Sequence, residues 1–209
     1  MLTLLLLAST AGTALAASPT VPHEHQGIVK AYAGAPPAVP LTAEDTARLQ
    51  AGEMVQKQSQ VGNGGHGVVF QYIHAPPETI WSKIVNYPMY PSWVDNVTSC
   101  EIYKNDGTNI YVDFMLSVLG NKVQYYIHHT YKPQSGYLTW TLDYSRQSDL
   151  DDSVGYWRVT PVAADPSMTL LEYSVDIRFK GWIPGFVQSF ISSRGLTTAV
   201  AWVKKQSEA

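Results

Sequence analysis

Few residues in this chain could carry acid–base or metal chemistry, and those few are scattered. The 209 residues hold six histidines and a single cysteine, Cys100. His128 and His129 are adjacent, and on a strand successive side chains point to opposite faces, so only one can enter an interior. The alternation of the surrounding residues assigns that place to His129. An inward imidazole with Tyr125 and Tyr131 on the same face could polarise a carbonyl or move a proton in a cyclisation or dehydration. His129 and Tyr125 are therefore the candidate catalytic residues, set against the plainer reading of a histidine satisfied within a core. The sequence has no Gly-x-Ser-x-Gly elbow, no Cys/His nucleophile pair and no His-Glu-x-x-His helix, so nothing in it requires an enzyme.

Two further groups have ligand chemistry. His23-Glu24-His25 sits in a proline-rich stretch and is read as solvated, with no metal site assigned. Asp149, Asp151 and Asp152 lack the spacing of a calcium loop and read as a solvated hairpin end. Asn96-Val97-Thr98 is a formal glycosylation sequon. No cofactor is expected.

Composition points elsewhere. Six Trp, thirteen Tyr and five Phe accompany only 15% charged residues, a balance that suits a large apolar interior, a ligand cavity, or both. Fourteen Lys and Arg against seventeen Asp and Glu give a net charge of -3, and no basic run exceeds Lys204-Lys205. Nucleic acid is excluded as the main partner.

The elements that must position these residues follow in chain order. Residues 1–16 read as a signal peptide: an apolar stretch too short to span a bilayer, ending in the small-x-small pattern Ala14-Leu15-Ala16, without a Lys or Arg before Leu2. The mature chain then starts at Ala17 and is exported, to the periplasm or the medium. One cysteine cannot form an internal disulfide, so the fold must rest on its core. Residues 17–40, with Pro19, Pro22, Pro36, Pro37 and Pro40, read as a flexible leader. Residues 41–209 form one domain. Within it, Thr42-x-x-Asp45 caps a helix at about 43–51, closed by Gly52. Gly62 to Gly65 reads as a turn or bulge before a strand over 67–74, and Pro76-Pro77-Glu78 opens a helix that ends before Pro88.

From Val97 the period is that of strands, at about 97–104, 109–118, 122–132, 137–144, 153–160 and 168–179, joined by Gly and Asn turns that make them antiparallel neighbours. Residues 184–205 return to a helical period and would extend about 33 Å. Val112, Phe114 and Leu116; Val123, Tyr125, Ile127 and His129; Leu138, Trp140 and Leu142; and Leu171, Tyr173, Val175, Ile177 and Phe179 fall on one face. Asp113, Gln124, Thr139, Asp143, Glu172, Asp176 and Arg178 fall on the other, which reads as wet. The expected fold is α+β: a curved antiparallel sheet of six to seven strands around a long C-terminal helix that offers Phe186, Val187, Phe190, Val200 and Val203.

The helix start Ala75-Pro-Pro-Glu78 with Trp81, the Tyr87-Pro88 break before Pro91-Ser-Trp-Val94, and the strand Gly155-x-Trp157-x-Val159 occur in an order that resembles the START-like helix-grip (SRPBCC) superfamily, in particular its polyketide cyclase and coenzyme Q-binding type. The resemblance covers about residues 53–206. It implies a deep apolar tunnel between sheet and helix that holds a lipid, sterol, quinone or polyketide-like molecule; fold does not fix function.

The candidate ligand-binding residues are Phe114, Leu116, Tyr125 and Ile127; Trp140, Leu142 and Trp157; Tyr173 and Val175; and Phe186 and Phe190. The favoured expectation is an exported soluble carrier of a hydrophobic small molecule, with transient membrane contact. The alternative is a cyclase or dehydratase acting in the same tunnel through His129. A third reading, a pure interaction module using Trp93 and Trp182, would leave no enclosed space. The sequence assigns no oligomeric state.

Overall fold

The computed structural model describes residues 16–118, 120–181 and 196–209. Among these residues, eight strands form one antiparallel sheet in the order β1-β2-β8-β7-β6-β5-β4-β3. They are β1 (Val55–Val61), β2 (Gly64–Ile73), β3 (Val97–Asn105), β4 (Asn109–Val118), β5 (Asn121–Lys132), β6 (Tyr137–Leu142), β7 (Leu150–Val162) and β8 (Asp165–Phe179). Strands β3 to β8 are sequential neighbours, as their short turns require. The β1–β2 hairpin instead pairs through β2 with β8, so the chain must cross the sheet between β2 and β3. It does so through α2 (Pro77–Ile84), a 3-10 turn at Tyr87–Met89, and α3 (Tyr90–Trp93), a single turn. The last described helix, here α4, spans Leu196–Ser207, and α1 spans Ala43–Gln50.

The strand count exceeds the expected six to seven because residues 55–61, which precede the predicted turn, form an edge strand. Its interior, Gln56-Lys57-Gln58-Ser59, is polar throughout and shows no apolar alternation. The α1 cap forms as its sequence predicts: Thr42 Oγ1 accepts from the Asp45 N–H at 3.0 Å and Asp45 Oδ2 accepts from the Thr42 N–H at 2.9 Å. Lys57 approaches the same carboxylate at 2.8 Å and, with the cap, holds it down at about 2.

The inner face carries the predicted residues. Trp140 pairs with both His129 and Gly155, Trp157 with Tyr173, and Phe114 with Tyr125, which places all of them on one side of the sheet. These residues share one apolar core with Ile80, Trp81 and Ile84 of α2 and with Leu196, Val200, Trp202 and Val203 of α4. Phe186, Val187, Phe190, Trp182 and the predicted helical stretch 184–195 lie outside the described residues.

The other face is not simply wet. Residues 17–40 lack regular structure, as their prolines require, yet they form a strap packed on that face. Asp152 is fully buried in β7, where its Oδ2 accepts from the Ile28 and Val29 N–H groups at 2.7 Å each and its Oδ1 from Tyr144 Oη at 2.7 Å. Tyr32 meets Tyr156 edge to face at 5.2 Å, and Arg158 Nη2 donates to the Pro36 carbonyl. Beside the strap, α1 seats Leu49 on Val55, Val68 and Phe70. Arg158 and Glu172 pair at 3.1 Å, and under this cover Glu172 is only 4% exposed and also accepts from Tyr156 Oη. Burial raises the Glu172 pKa against the opposing pull of Tyr156 and Arg158.

Candidate functional site

Between the inner face and α4 lies a cavity of about 500 Å³, within the range of small-molecule sites. A cavity of this size removes the reading of a purely solid interaction module. Of the candidates, Phe114, Leu116, Tyr125, Ile127, His129, Trp140, Trp157, Tyr173 and Val175 line it. Leu142 is buried in the core and does not reach the cavity, and Phe186 and Phe190 lie outside the described residues.

The wall is built by ring packing. Trp157 and Tyr173 approach at 4.4 Å between centroids, Trp140 stacks on Tyr173 at 5.5 Å, and Tyr125 lies nearly parallel to Phe114 at 5.3 Å. Trp140 is fixed at its polar tip as well, since Nε1 donates to Ser153 Oγ at 3.2 Å. Sequence reasoning missed Ser153, although a buried indole needs an acceptor and the facing strand was the place to look. It also missed Tyr90, whose hydroxyl donates to the Ile84 carbonyl at 2.5 Å, and Trp202, packed on Tyr90 at 4.8 Å.

Polarity in the cavity is sorted by depth. The charged lining residues Asp95, Asp149 and Lys180, with Asn96 and Asn121, all fall at one end of the sheet, where β3, β5 and β7 begin and β4 and β8 end. That end is the polar mouth. Farther in, the polar groups are neutral. Burial pulls His129 down to about 3, so its imidazole is uncharged at neutral pH, and its Nδ1 has no hydrogen-bond partner among the described residues. Tyr87, 5.1 Å away between ring centroids, also has an unpartnered hydroxyl. Burial pushes the phenols of Tyr87, Tyr125 and Tyr173 up, which keeps them protonated donors. A base at about 3 removes protons poorly at neutral pH, and a neutral imidazole has no acidic proton of imidazolium strength to give. This group is suited to hydrogen-bonding a ligand atom more than to proton transfer.

The His23-x-His25 pair, expected in solvent, is part of the strap. His23 is 5% exposed, and His23, His25 and Asp151 bring ligand atoms within 4.8 Å of one another. Their nitrogens are already committed. The Ser148 and Gly27 N–H groups donate to the Nδ1 atoms of His23 and His25 at 3.3 and 3.0 Å. That assigns the hydrogens to Nε2, which donates to Asp151 O from His23 and to Asp151 Oδ1 from His25. A metal on Nε2 would require both hydrogens to move to nitrogens that face N–H donors. The cluster clasps the strap to β7.

The sequence profile of the family described as polyketide cyclase / dehydrase and lipid transport matches residues 66–208. The chain belongs to this family. The polyketide cyclase and lipid transport family match begins within β2 and takes in the whole cavity wall, while the strap, α1 and β1 precede it. The fold is that of the START-like, SRPBCC superfamily. A STAR-related lipid transfer protein from Xanthomonas axonopodis superposes with a TM-score of 0.63 at 12% identity, over 75% of this chain and 94% of that one. A START superfamily protein from Mycobacterium smegmatis gives 0.55 at 20% identity, over 74% and 97%. The Zhui aromatase/cyclase from Streptomyces sp. R1128 gives 0.57 at 12%, over 75% and 94%. Identities this low speak for the fold alone. No curated protein sequence matches.

Proposed function

We propose that this chain is an exported carrier that encloses one apolar molecule between its sheet and C-terminal helix. The observation that carries the reading is a cavity of about 500 Å³ walled by aromatic and aliphatic side chains, whose charged lining residues, among those described, fall at the mouth. About 400 Å² of buried apolar ligand surface at about 25 cal/mol per Å² is on the order of 10 kcal/mol gross. That offsets a cost of about 4 to 15 kcal/mol for lost freedom, so micromolar binding needs no strong polar contact. The ligand class is a lipid, quinone, sterol or polyketide-like molecule with at most one or two polar atoms, placed at His129 and the tyrosine hydroxyls. Loading and release involve transient contact with a membrane. The small-x-small pattern at Ala14 to Ala16 supports export to the periplasm or medium. Among the described residues, no helix is long and apolar enough to cross a membrane.

Native mass spectrometry of the protein from a lipid-rich host tests this reading. One apolar molecule per chain is expected; a chain that neither retains nor takes up such a molecule overturns it.

The second reading is a cyclase or dehydratase in the same cavity. It is favoured by His129, which lines the cavity and whose Nδ1 has no partner among the described residues, so that it could polarise a carbonyl. Under it, His129→Ala abolishes turnover of a polyketide-like substrate while binding persists; unchanged turnover removes it.

A further inference from the structure

We propose that hydrolysis of the Ala16–Ala17 peptide bond creates an anchoring group for the strap: the new α-ammonium of Ala17, seated on the carboxylate of Asp149 at the cavity mouth. The scission rests on the export reading above; the seat rests on geometry.

Two independent observations meet at this bond. In the sequence, Ala14-Leu15-Ala16 places a signal-peptidase-type cut after Ala16. In the structure, Ala16 is exposed and its neighbour Ala17 is held by a hydrogen bond. The Ala17 N–H donates to Asp149 Oδ1 at 2.9 Å, and the other oxygen, Oδ2, accepts from the Gln124 N–H at 2.8 Å. The carboxylate is thus fixed in place whether or not a charge faces it. One residue on, Ser18 and Gln147 exchange backbone hydrogen bonds of 2.8 and 2.9 Å, an isolated antiparallel bridge that sets the position of the Ala17 nitrogen.

The bond change is a simple hydrolysis. Water supplies the hydroxyl that joins the Ala16 carbonyl carbon, the C–N bond breaks, and the protons of water and the new acid pass to nitrogen. The products are an Ala16 carboxylate, which leaves with the peptide, and an Ala17 ammonium. The amide bond to the carboxylate is charged on the acceptor side alone; with an ammonium as donor it becomes a hydrogen-bonded ion pair, charged on both sides.

The consequence reaches the cavity. Asp149 lines it, and so does Lys180, which the strap engages through Glu24 at 3.2 Å. The strap therefore meets two charged residues of the mouth, and the processed chain holds that side more firmly than the unprocessed one.

The test produces the full chain in an export-competent host and determines the amino terminus of the exported protein. Four proteins are compared: wild type, Asp149→Asn, a chain with Gly-Ser inserted between residues 16 and 17, and the combination. The insertion moves the ammonium two residues away without touching the fold. Hydrogen exchange of the Ser18 and Gln147 amides is the readout. Exchange is expected to be about tenfold faster in the insertion chain than in wild type, and Asp149→Asn should add much less in the insertion background than alone. Equal exchange in wild type and insertion chains, or additive effects, overturns the seat. An exported protein beginning at another residue overturns the scission and leaves export standing. A chain that stays inside with residues 1–16 intact overturns scission and export together, and leaves the cavity reading untouched.

Discussion

The Trp140 indole lies across the Cα of Gly155, its partner on the neighbouring strand: a Cβ added at Gly155 would stand 2.2 Å from Trp140 Cζ2 and 2.3 Å from the Ser174 carbonyl oxygen. A missing side chain on one strand therefore sets the position of the ring that forms the cavity wall. Gly155→Ala should displace the indole, break its hydrogen bond to Ser153, and cost about 1 to 3 kcal/mol as overpacking does. Urea denaturation and ligand titration on the same variant check this. An unchanged midpoint with unchanged affinity would show that Trp140 is not held there.

Acid should unfold the protein partly through His129. Above about pH 6.5 its imidazole is neutral in both states. As the pH falls from 6.5 toward about 3, the unfolded chain binds a proton that the buried ring refuses, and stability drops, by up to about tenfold in the folding equilibrium per pH unit. Burial lowers His23 also, with the same sign, whereas burial raises Glu172, whose contribution is lost as pH rises. His129→Gln should therefore flatten the decline in unfolding free energy between pH 6.5 and 4 without abolishing it. Parallel slopes for wild type and variant would contradict this account of the group.

The strap should depend on Asp152. Its carboxylate accepts four hydrogen bonds, from the Ile28, Val29 and Ser153 N–H groups and from Tyr144. Asp152→Ala leaves buried donors unpaired and should cost about 3 kcal/mol. Limited proteolysis should then cut first within residues 17–40 while residues 55–180 stay protected. Protection of the strap equal to that of wild type would mean that other contacts suffice.

The junction of α4 with the sheet turns on Gly67, where an added Cβ would stand 2.2 Å from Leu196 Cδ1. Gly67→Val should loosen this contact at a cost of about 2 kcal/mol, and the shorter side chain of Leu196→Ala should relieve part of that in the double variant. Thermal unfolding of the two single variants and the double variant reads the coupling. Purely additive losses would remove the contact from the account.

How much of this was legible in the sequence depends on where each residue's partner lies. Inward positions from Val112 to Phe179 follow a period of two, and the structure places them on one face because a strand that buries one side leaves that pattern. Strand β1 left none: Gln56 to Ser59 sit at an edge, where one neighbour and open solvent suit polar side chains. Asp152 resembled a loop carboxylate because buried aspartate is uncommon without partners, and its partners at Ile28 and Val29 are 124 and 123 positions away. The prolines of the strap predicted irregular backbone correctly; they held no information about docking. Glu172 read as wet for the same reason, since what covers it is remote in the chain. In the cavity, His129 and the rings were visible by alternation. Ser153 and Tyr90 line it too but were not, because a small polar residue and a residue of the crossover turn add nothing to the apolar alternation of the strands.

The most direct test of the central claim is the stoichiometry of ligand uptake by wild type and by Leu116→Trp. Leu116 lines the cavity, and the larger ring should fill part of its volume of about 500 Å³ and leave the outer face untouched. Both proteins are titrated with a panel of long-chain lipids, quinones and sterols, with circular dichroism confirming that the variant is folded. The account predicts one bound molecule per wild-type chain for at least one class, and at least tenfold weaker binding in the variant. No uptake of any class by wild type, or equal affinity in a folded Leu116→Trp, would contradict it.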